Sequence, residues 1–439
     1  MNEQKKSVDM KRTSRRGFLK VAAASGAVLS ALDISRYAHA AGNDIIRIGV
    51  VGCGGRGAGA AVNAMNVDAG VRLVAMCDLF MDRVKGKRDS LKKAKPQQVE
   101  VDDAHCFDGF DGYKRVIECV DVVLIANAAK FHPLHAKTAI EAGKHVFVEK
   151  PHGIDPHGVK VIQAAAELAR QKKLSLVSGL QYRYAKGRQE TIQRVHDGAI
   201  GDIVAIEENY LRAPYGLYKR AAGLNEVQYQ CSNQYHFVWL SGDDVPQSLI
   251  HNLDCSTWAM KEQMPVKCHG MGGRASSFGE VYGNVFDHNA ITYLYANGVR
   301  LYASCRTEVG CYNENASIIL GSKGRCFLSQ CRIEGETNWR YEGRKDPSPY
   351  DEEHRVLFQA VRSGNPVNNG DYMARSTLMT VMGQLSCYTG QEVTWEQATK
   401  SDFFYPPKPE ECRFDMEPPV KPGPDGIYPV YVPGVTKLL

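Results

Sequence analysis

The sequence lacks several features that would assign it to common classes of protein. None of its 13 cysteines forms a C-x-x-C pair, so a zinc site has no support and no bound metal is expected. Their odd number and scattered positions favour buried free thiols over disulfides. After residue 40 no run is apolar enough to span a membrane. Excess positive charge is lacking too, because the net charge of +5 lies in the first 40 residues, and nothing indicates nucleic-acid binding.

The amino terminus carries a targeting pattern. Arg15 and Arg16 lie in the stretch SRRGFLK, which precedes an apolar segment at 21–32 and the small-residue end AHA at 38–40. This order predicts a twin-arginine signal peptide over residues 1–40. A membrane anchor is the alternative, but the apolar segment is short and rich in alanine, serine and glycine. We expect a periplasmic or otherwise exported protein, with the twin-arginine export machinery as a partner and no stable membrane span after cleavage.

Residues 43–180 alternate apolar runs with helical segments. Strands are predicted at 45–51, 71–77, 122–126, 145–148 and 174–178, with amphipathic stretches such as 133–142 and 157–169 between them. Strands separated by helical lengths indicate βαβ units and a parallel sheet. The fold class expected for this part is α/β, a doubly wound parallel sheet.

A glycine motif follows the first predicted strand directly. Gly52, Gly54 and Gly57 form G-x-G-x-x-G before the helical segment 58–65, and Asp78 ends the second strand. Such glycines allow backbone to approach a pyrophosphate, and the carboxylate is placed to bind the adenosine ribose. Because Leu79 and Phe80 follow Asp78 in place of a basic residue, NAD is favoured over NADP. A glycine turn in another kind of α/β protein is the alternative. An exported enzyme has no free nicotinamide pool, so the cofactor is expected to stay bound.

At these positions the chain resembles the Gfo/Idh/MocA oxidoreductase family, which includes glucose-fructose oxidoreductase and inositol dehydrogenase. The matching stretches are VGCGGRG at 51–57, CD at 77–78, DVVLIA at 121–126, HPLH at 132–135 and EKP at 149–151. The segment 179–184 resembles the family's sixth strand, which leads into the second domain. The resemblance implies that cofactor-binding residues include Gly52, Gly54, Gly55, Arg56, Gly57, Asp78, Asn127, His132, His135, Glu149, Lys150 and Gln181.

The second half, 181–405, is expected to be an α+β domain for substrate binding and oligomerisation. Strands are predicted at 203–210, 291–296, 299–305, 317–320 and 325–328, with helices at 351–362 and 374–388. Asn297-Gly298 is a hairpin signal, and hairpins in series predict an open, mostly antiparallel sheet. The proline-rich end, 406–439, is expected to be an extended tail. The family resemblance also implies a homo-oligomer.

The segment 248–258 carries a second chemical signal. Its apolar positions predict a helix on which His251 and Asp254 lie one turn apart, so the carboxylate is placed to orient the imidazole. The family resemblance implies that His251 is a catalytic base and that Lys150 contacts the substrate and the nicotinamide end of the cofactor. Many relatives have aspartate four residues before this histidine, where this chain has Gln247. Asp243, Asp244 or Asp254 therefore supports His251, or the proton relay differs.

Aromatic and cationic residues cluster between 210 and 239 and form a substrate wall, an oligomer contact or ordinary sheet surface. The substrate contacts predicted from this cluster and from its surroundings are Arg183, Tyr210, Arg212, Tyr235, Asp254 and Arg306.

The leading prediction is an NAD(P)-dependent oxidoreductase that acts on a CH–OH group of a sugar, glycoside or polyol. A redox-neutral glycosidase or lyase that forms a transient keto-sugar, as in the family of NAD-dependent glycoside hydrolases (family 109), is one alternative. A non-catalytic sugar-binding protein that retains its nucleotide is another.

Overall fold

The computed structural model describes residues 45–343 and 345–438, and the predicted signal peptide lies outside them. Two sheets organise the described residues, one parallel with six strands and one mixed with nine. The expected fold class, a Rossmann sheet followed by an α+β part with an open sheet, is confirmed.

The first sheet has the strand order β3-β2-β1-β4-β5-β6, and all of its strands are parallel. The predicted strands are confirmed within two residues at each end. A sixth strand, β3, was not predicted because only two residues pair. The bounds are β1 Ile46–Val51, β2 Val71–Cys77, β3 Cys106–Phe107, β4 Val122–Ile125, β5 His145–Val148 and β6 Leu176–Ser178.

The helices between these strands cover both faces of the sheet, as right-handed crossovers require. Their apolar residues face the sheet at helical spacing; in α5, for example, Val159, Ile162 and Ala166 are buried. The bounds are α1 Gly55–Val67, α2 Met81–Ala94, α3 Gly112–Cys119, α4 His132–Glu141 and α5 Pro156–Gln171.

The segment resembling the family's sixth strand is not a strand. Gln181–Tyr184 forms a short 3-10 helix, and β6 ends before it at Ser178. Ser178 is the last residue that pairs with β5, because the chain then turns away from the sheet toward the second domain.

The second sheet has the order β14-β13-β12-β11-β7-β10-β9-β8-β15, in which only β7 and β10 pair in parallel. Gly298, with φ +87°, lies in the predicted hairpin between β9 and β10. The bounds are β7 Ile203–Arg212, β8 Lys267–Gly273, β9 His288–Leu294, β10 Arg300–Thr307, β11 Glu314–Gly321, β12 Gly324–Phe327, β13 Arg332–Gly335, β14 Trp339–Arg340 and β15 Val393–Thr394.

Helices cover one face of the second sheet. The central one combines a π-helical turn, Val245–Leu249, with α9, and it packs against the long helix α11. The bounds are α6 Lys186–His196, α7 Glu226–Ser232, α8 Val238–Ser241, α9 Ile250–Ala259, α10 Pro349–Ser363, α11 Gly370–Thr389 and α12 Trp395–Lys400.

Helix α10 packs against the first domain although it follows the second sheet in the chain. Leu357, Phe358 and Val361 join the apolar core that also contains β1 and α1. Arg362 and Asp68 form an ion pair of 2.5 Å at the far end of the helix. The Rossmann layer is therefore completed by residues 349–363, which the predicted boundaries had assigned to the second domain.

The tail beyond residue 405 contains little regular structure, as expected for a proline-rich segment. The tail packs against the second domain. Tyr428 is buried, and its hydroxyl donates to Glu226 at 2.5 Å. The Gln230 amide donates to the Val420 carbonyl oxygen at 2.7 Å. The tail thus ties itself to the segment that precedes the π-helical turn.

Candidate active site

The glycine motif forms a tight turn between β1 and α1. Gly52 has φ +100°, and a Cβ there would lie 2.5 Å from the Asn127 backbone nitrogen. A Cβ on Gly57 would lie 1.9 Å from the Gly52 carbonyl oxygen, so only glycine fits. Gly54 and Gly55 have open space where a side chain would be, at the start of α1. Backbone amides at a helix start with no side chains over them suit a phosphate ligand.

Asp78 lies at the carboxyl end of β2, where the sequence placed a ribose-binding carboxylate. One carboxylate oxygen accepts a hydrogen bond from the Cys53 backbone amide at 2.8 Å, which fixes the group beside the glycine turn. Arg83 and Lys87 lie on the same cavity wall. The preference for NAD was predicted from Leu79 and Phe80, the two residues after Asp78. That prediction did not consider Arg83 and Lys87, because they lie one and two helical turns later along α2.

A cavity of about 510 Å³ runs from this turn along the edge of the sheet. Its walls come from both domains, which is common for cofactor sites. The first domain contributes Gly52, Gly54, Gly55, Arg56, Asp78, Asn127 and His135, all predicted cofactor residues. The second contributes Gly216, Tyr218 and the segment 231–235, which local sequence signals did not assign to the cofactor.

Lys150 lies at the carboxyl end of β5, in a smaller cavity of about 40 Å³ that opens beside the first. Its ammonium donates to the backbone carbonyl oxygen of Gln247. Asn127 and Tyr235 line both cavities, so Lys150 lies next to the inner end of the larger one. His132 and Glu149, two further predicted cofactor residues, also line the smaller cavity.

Glu149 belongs to a buried charge cluster. Arg56 approaches it at 2.8 Å between Nε and Oε1. Burial raises the pKa of Glu149, while the charges of Arg56 and Lys150 lower it. Glu353 of α10 is fully buried, and burial together with the Glu149 charge raises its pKa well above the usual range. We therefore expect Glu353 to be a neutral acid, which leaves Glu149 as the partner of Arg56.

The two histidines of HPLH are buried supports. Burial lowers the pKa of His132 to about 4 and that of His135 to about 3. The His132 ring lies between the carbonyl oxygens of Pro151 at 2.7 Å and Asn127 at 3.0 Å. The His135 ring stacks on Tyr113 with ring centroids 3.9 Å apart. They hold the loops on either side of Lys150 in place.

Gln181 does not line either cavity. Its amide donates to the Tyr350 hydroxyl at 3.2 Å, behind the Arg56 side chain, which lies over the Tyr350 ring at 4.6 Å. The prediction that Gln181 binds cofactor is therefore not supported by its position in this structure.

His251 does not have the carboxylate partner that its spacing to Asp254 predicted. Its ring packs on Tyr182 at 5.2 Å, and Nδ1 is buried without a hydrogen bond to any described residue. Burial and then the charges of Lys150 and Arg188 lower the pKa of His251 well below its usual value. The histidine is thus a neutral group near Lys150, with no acid to stabilise an imidazolium.

Asp254 is occupied elsewhere, which corrects the expectation that it orients His251 or meets a substrate. It binds the Arg183 guanidinium, with 2.8 Å between Nη2 and Oδ1, and accepts from the Ser376 hydroxyl at 2.7 Å. Arg183 also pairs with Glu262 at 2.7 Å. Arg183 and Asp254 therefore form a buried structural ion pair and line neither cavity, because the helix turns Asp254 away from Lys150.

The remaining predicted substrate residues divide into two sets. Arg212 and Tyr235 line a small recess next to the Lys150 cavity, together with Tyr215 and Asp244. Tyr210 precedes Arg212 on β7 and is half-buried outside the recess lining. Arg306 donates to the Tyr312 carbonyl oxygen and lies outside the lining, so its predicted contact is not supported.

Among the described residues, one trio brings three possible metal ligands together: Asp287, His288 and Glu308. The Asp287 carboxylate already accepts from the backbone amides of residues 275, 276 and 277 and from His288 at 2.7 Å. These hydrogen bonds make the trio part of a hydrogen-bonded turn.

Within the described part of the chain, no helix has the length and apolar character needed to cross a membrane.

A parallel sheet of order 3-2-1-4-5-6, with a glycine turn after its first strand and a carboxylate after its second, defines a dinucleotide-binding protein of the Rossmann class. Residues 46–179 match the GFO_IDH_MocA family model, described as an oxidoreductase family with an NAD-binding Rossmann fold. Residues 46–179 are therefore similar to the NAD-binding domain of this oxidoreductase family. The family resemblance and the NAD prediction are both confirmed.

Curated relatives align over part of the chain. Glycosyl hydrolase family 109 protein 1 of Bacteroides fragilis is 29% identical over 171 residues, which cover 38% of this chain and 35% of the relative. The family 109 protein of Shewanella amazonensis is 30% identical over 222 residues, or 45% of this chain and 46% of the relative. The aligned segments thus span less than half the length of these relatives.

Solved structures share the fold over most of the chain. The aldose-aldose oxidoreductase of Caulobacter crescentus, complexed with glycerol, aligns with TM-score 0.62 and 17% identity over 80% of this chain and 99% of that one. The scyllo-inositol dehydrogenase of Lactobacillus casei, with bound NAD(H) and scyllo-inositol, aligns with TM-score 0.60, 19% identity and the same coverage. At these identities the likeness establishes the fold.

Proposed function

We propose that this protein is an exported NAD-dependent oxidoreductase that oxidises a carbinol of a sugar, glycoside or polyol and keeps its cofactor bound. The observation that carries the proposal is the position of Lys150. Its ammonium lies at the carboxyl edge of the parallel sheet, in a cavity that shares Asn127 and Tyr235 with the predicted cofactor cavity. Ligands of open α/β sheets bind at this edge.

The chemistry requires two transfers from the carbinol. When bound at this edge, NAD supplies a hydride acceptor. The protein supplies a cation for the developing alkoxide and a route for the hydroxyl proton. Lys150 is assigned to the oxygen, where its positive charge stabilises negative charge in the transition state. His251 was the base predicted from the sequence, and as a neutral imidazole it can accept a hydrogen bond there.

Substrate entry requires movement of the turn above Lys150. The cavity of about 40 Å³ is too small for a sugar ring beside the present positions of Gln234 and Tyr235. These residues lie in a short 3-10 turn, Gln234–His236, that also lines the cofactor cavity. We infer that this turn moves aside when substrate binds, and that Tyr235 then forms part of the substrate wall.

Retention of the cofactor is supported by the second-domain cover. Segment 231–235 closes one side of the cofactor cavity. The tail reinforces it, because Phe414 packs on Phe110 of the cavity wall with ring centroids 4.9 Å apart. Release of the cofactor would require both covers to open. This fits the proposed twin-arginine export of a folded protein, which would reach the periplasm with its cofactor in place.

The redox-neutral alternative rests on the relatives named glycosyl hydrolase family 109. In that reaction the oxidised sugar loses its aglycone and the hydride returns, so no reduced cofactor accumulates. The same Lys150 position serves both reactions, because both begin with oxidation of a hydroxyl.

The test begins with purification of the exported protein. One sample is denatured to release and identify its nucleotide. A second, native sample is incubated with myo-inositol, glucose and p-nitrophenyl glycosides. We expect about one NAD per chain and an absorbance rise from reduced nicotinamide with at least one sugar. Release of p-nitrophenol without net reduction would establish the redox-neutral cycle instead. Bound sugar with neither signal would establish a non-catalytic binder, and an empty site would contradict retention.

A further inference from the structure

A chain of hydroxyl groups joins the recess beside Lys150 to a buried carboxylate. The Tyr215 hydroxyl lies 3.1 Å from Ser248 Oγ. Ser248 Oγ donates to Asp244 Oδ1 at 2.6 Å. Arg212 Nε donates to the same serine oxygen at 3.0 Å. The first two hydrogen bonds form a continuous path from Tyr215 to Asp244, an acid that is 7% exposed and lines the same recess.

The direction of the path follows from the valence of the serine. A hydroxyl has one hydrogen and two acceptor lone pairs. The hydrogen of Ser248 goes to Asp244, and one lone pair takes the Arg212 donor, so Tyr215 donates to the other lone pair. The lone pairs of the tyrosine oxygen are then free to accept a proton from the recess. Asp244 Oδ2 is buried without a hydrogen bond to any described residue, so the acid has an open acceptor.

The path begins next to Lys150. The Lys150 ammonium donates to the carbonyl oxygen of Gln247, and Ser248 is the next residue. Gln247 and Tyr235 line both the Lys150 cavity and the recess that contains Tyr215. Tyr235 stacks on Tyr215 with ring centroids 4.2 Å apart, so movement of the turn at Tyr235 uncovers the Tyr215 ring. The Lys150 cavity and the recess, both of which Tyr235 lines, would then join.

A cation and several titratable groups surround the path. The Arg212 guanidinium lies over the Tyr215 ring at 3.6 Å and also pairs with Asp244. Burial lowers the pKa of Arg212, but the charges of Asp244, Tyr215 and Tyr210 and the hydrogen bond to Asp244 together raise it above its usual value, so the cation persists. The other titratable groups around the path are Tyr210, Tyr235, His236, Asp243 and Lys150. Burial raises the pKa of Asp243 to about 7 and lowers that of His236 to about 4.

We propose that Tyr215 accepts the substrate hydroxyl proton and that Ser248 and Asp244 carry it away, so that this path takes the place of a carboxylate-supported His251. The inference deepens the proposed function and rests on it. The carbinol O–H bond breaks as a proton reaches Tyr215 Oη, the phenolic proton passes to Ser248 Oγ, and the seryl proton passes to Asp244. The C–H electron pair leaves as hydride to oxidised NAD, so the substrate becomes a carbonyl compound and Asp244 a carboxylic acid.

The test compares Tyr215→Phe, Ser248→Ala and Ser248→Thr with the wild type on the best sugar of the panel above. Tyr215→Phe keeps the ring under Arg212 and removes only the proton path. We expect its kcat to fall by about 100-fold, a magnitude typical of lost general base catalysis, with little change in KM. The kcat of Ser248→Ala should fall by a similar factor. Ser248→Thr should keep turnover close to that of the wild type, because threonine retains the hydroxyl. Tyr302→Phe, at an exposed position on β10, is the matched control.

A second readout separates proton transfer from sugar binding. Calorimetric titration of each variant with the same sugar should give wild-type affinity for Tyr215→Phe, and circular dichroism should confirm folding. Wild-type turnover in Tyr215→Phe overturns the relay and leaves the proposed function standing. If Tyr215→Phe loses sugar affinity by the same factor as it loses turnover, Tyr215 is a binding residue and the relay is overturned. No turnover by the wild type on any sugar overturns the proposed function and the relay together.

Discussion

The Lys150 ammonium donates to the backbone carbonyl oxygen of Gln247, and this bond joins the end of β5 to the π-helical turn of the second domain. Gln247 stands where the family resemblance implied an aspartate, and it meets Lys150 through its main-chain carbonyl oxygen. Its side-chain amide donates to the Ser241 carbonyl oxygen at 2.8 Å. The glutamine is therefore part of the helix framework, and the lysine depends on the second domain for its position.

Replacing Lys150 with alanine should leave the fold intact and lower turnover by about 100- to 1,000-fold, because the alkoxide loses its nearest cation. Steady-state kinetics on the sugar panel and a thermal melt measure the two effects. Lys137→Ala, at a surface position on α4, should behave as wild type. Near-normal turnover in Lys150→Ala would contradict the proposed chemistry.

His251→Asn should reduce turnover by about tenfold, less than Tyr215→Phe. The imidazole is neutral and has no acid partner among the described residues, so in the proposed reaction it would offer the substrate hydroxyl a hydrogen bond without storing the proton. The kcat/KM pH profile of the variant should keep the shape of the wild-type profile. A larger loss than in Tyr215→Phe, with a lost ionisation, would return the base role to His251.

Asp78→Ala should weaken NAD binding by about tenfold, as expected when one charge-assisted hydrogen bond to the ribose is lost. The same change should improve the relative use of NADP, because Arg83 and Lys87 remain on that wall and can meet a 2′-phosphate. Equilibrium binding of both nucleotides to the stripped protein measures the ratio. The double variant Asp78→Ala/Arg83→Ala should lose the gain in NADP binding. If the ratio of NADP to NAD affinity is unchanged in Asp78→Ala, Asp78 does not face the ribose.

Phe414→Ala should speed release of NAD by about tenfold, because it removes an aromatic contact with both Phe80 and Phe110 beside the cofactor cavity. The release rate can be followed by exchange of bound NAD for a labelled nucleotide. Phe404→Ala is a matched control, since Phe404 is also half-buried but packs on His157 at 5.9 Å. Equal release from both variants would remove the tail from the retention mechanism.

Glu208 should make the protein less stable as the pH rises. Burial raises its pKa to about 8, while the hydroxyls of Ser256 and Ser317 partly oppose the shift. The folded state then binds more protons than the unfolded state between about pH 4.5 and 8, so the free energy of unfolding falls across that range. In Glu208→Gln this fall should be smaller. Urea unfolding at several pH values measures the slope, with Glu207→Gln, exposed on the same strand, as control; an unchanged slope in Glu208→Gln would show that Glu208 titrates normally.

The amino-terminal domain was predictable because its signals are local. Each strand is a short apolar run, and the glycine turn and Asp78 lie within a few residues of strand ends. Lys150 was predictable for the same reason, since parallel strands bring their carboxyl ends to one edge. The packing of helix 349–363 against the first sheet was not predictable, because its apolar stripe does not say which sheet it will cover.

The sequence by itself determined that the first sheet is parallel, where the NAD motif lies and that Lys150 lies at a strand end. These features depend on residues close together in the chain: the alternation of strands and helices, the glycines of one turn, and the residues that end each strand. Only the tertiary structure decided what surrounds them. In the structure Asp254 pairs with Arg183, and His251 Nδ1 has no hydrogen bond to a described residue. Tyr215, which follows β7, lies next to Ser248 of the π-helical turn. Such pairs depend on how two domains pack, and side chains distant in the chain carry no local pattern that selects one partner over another.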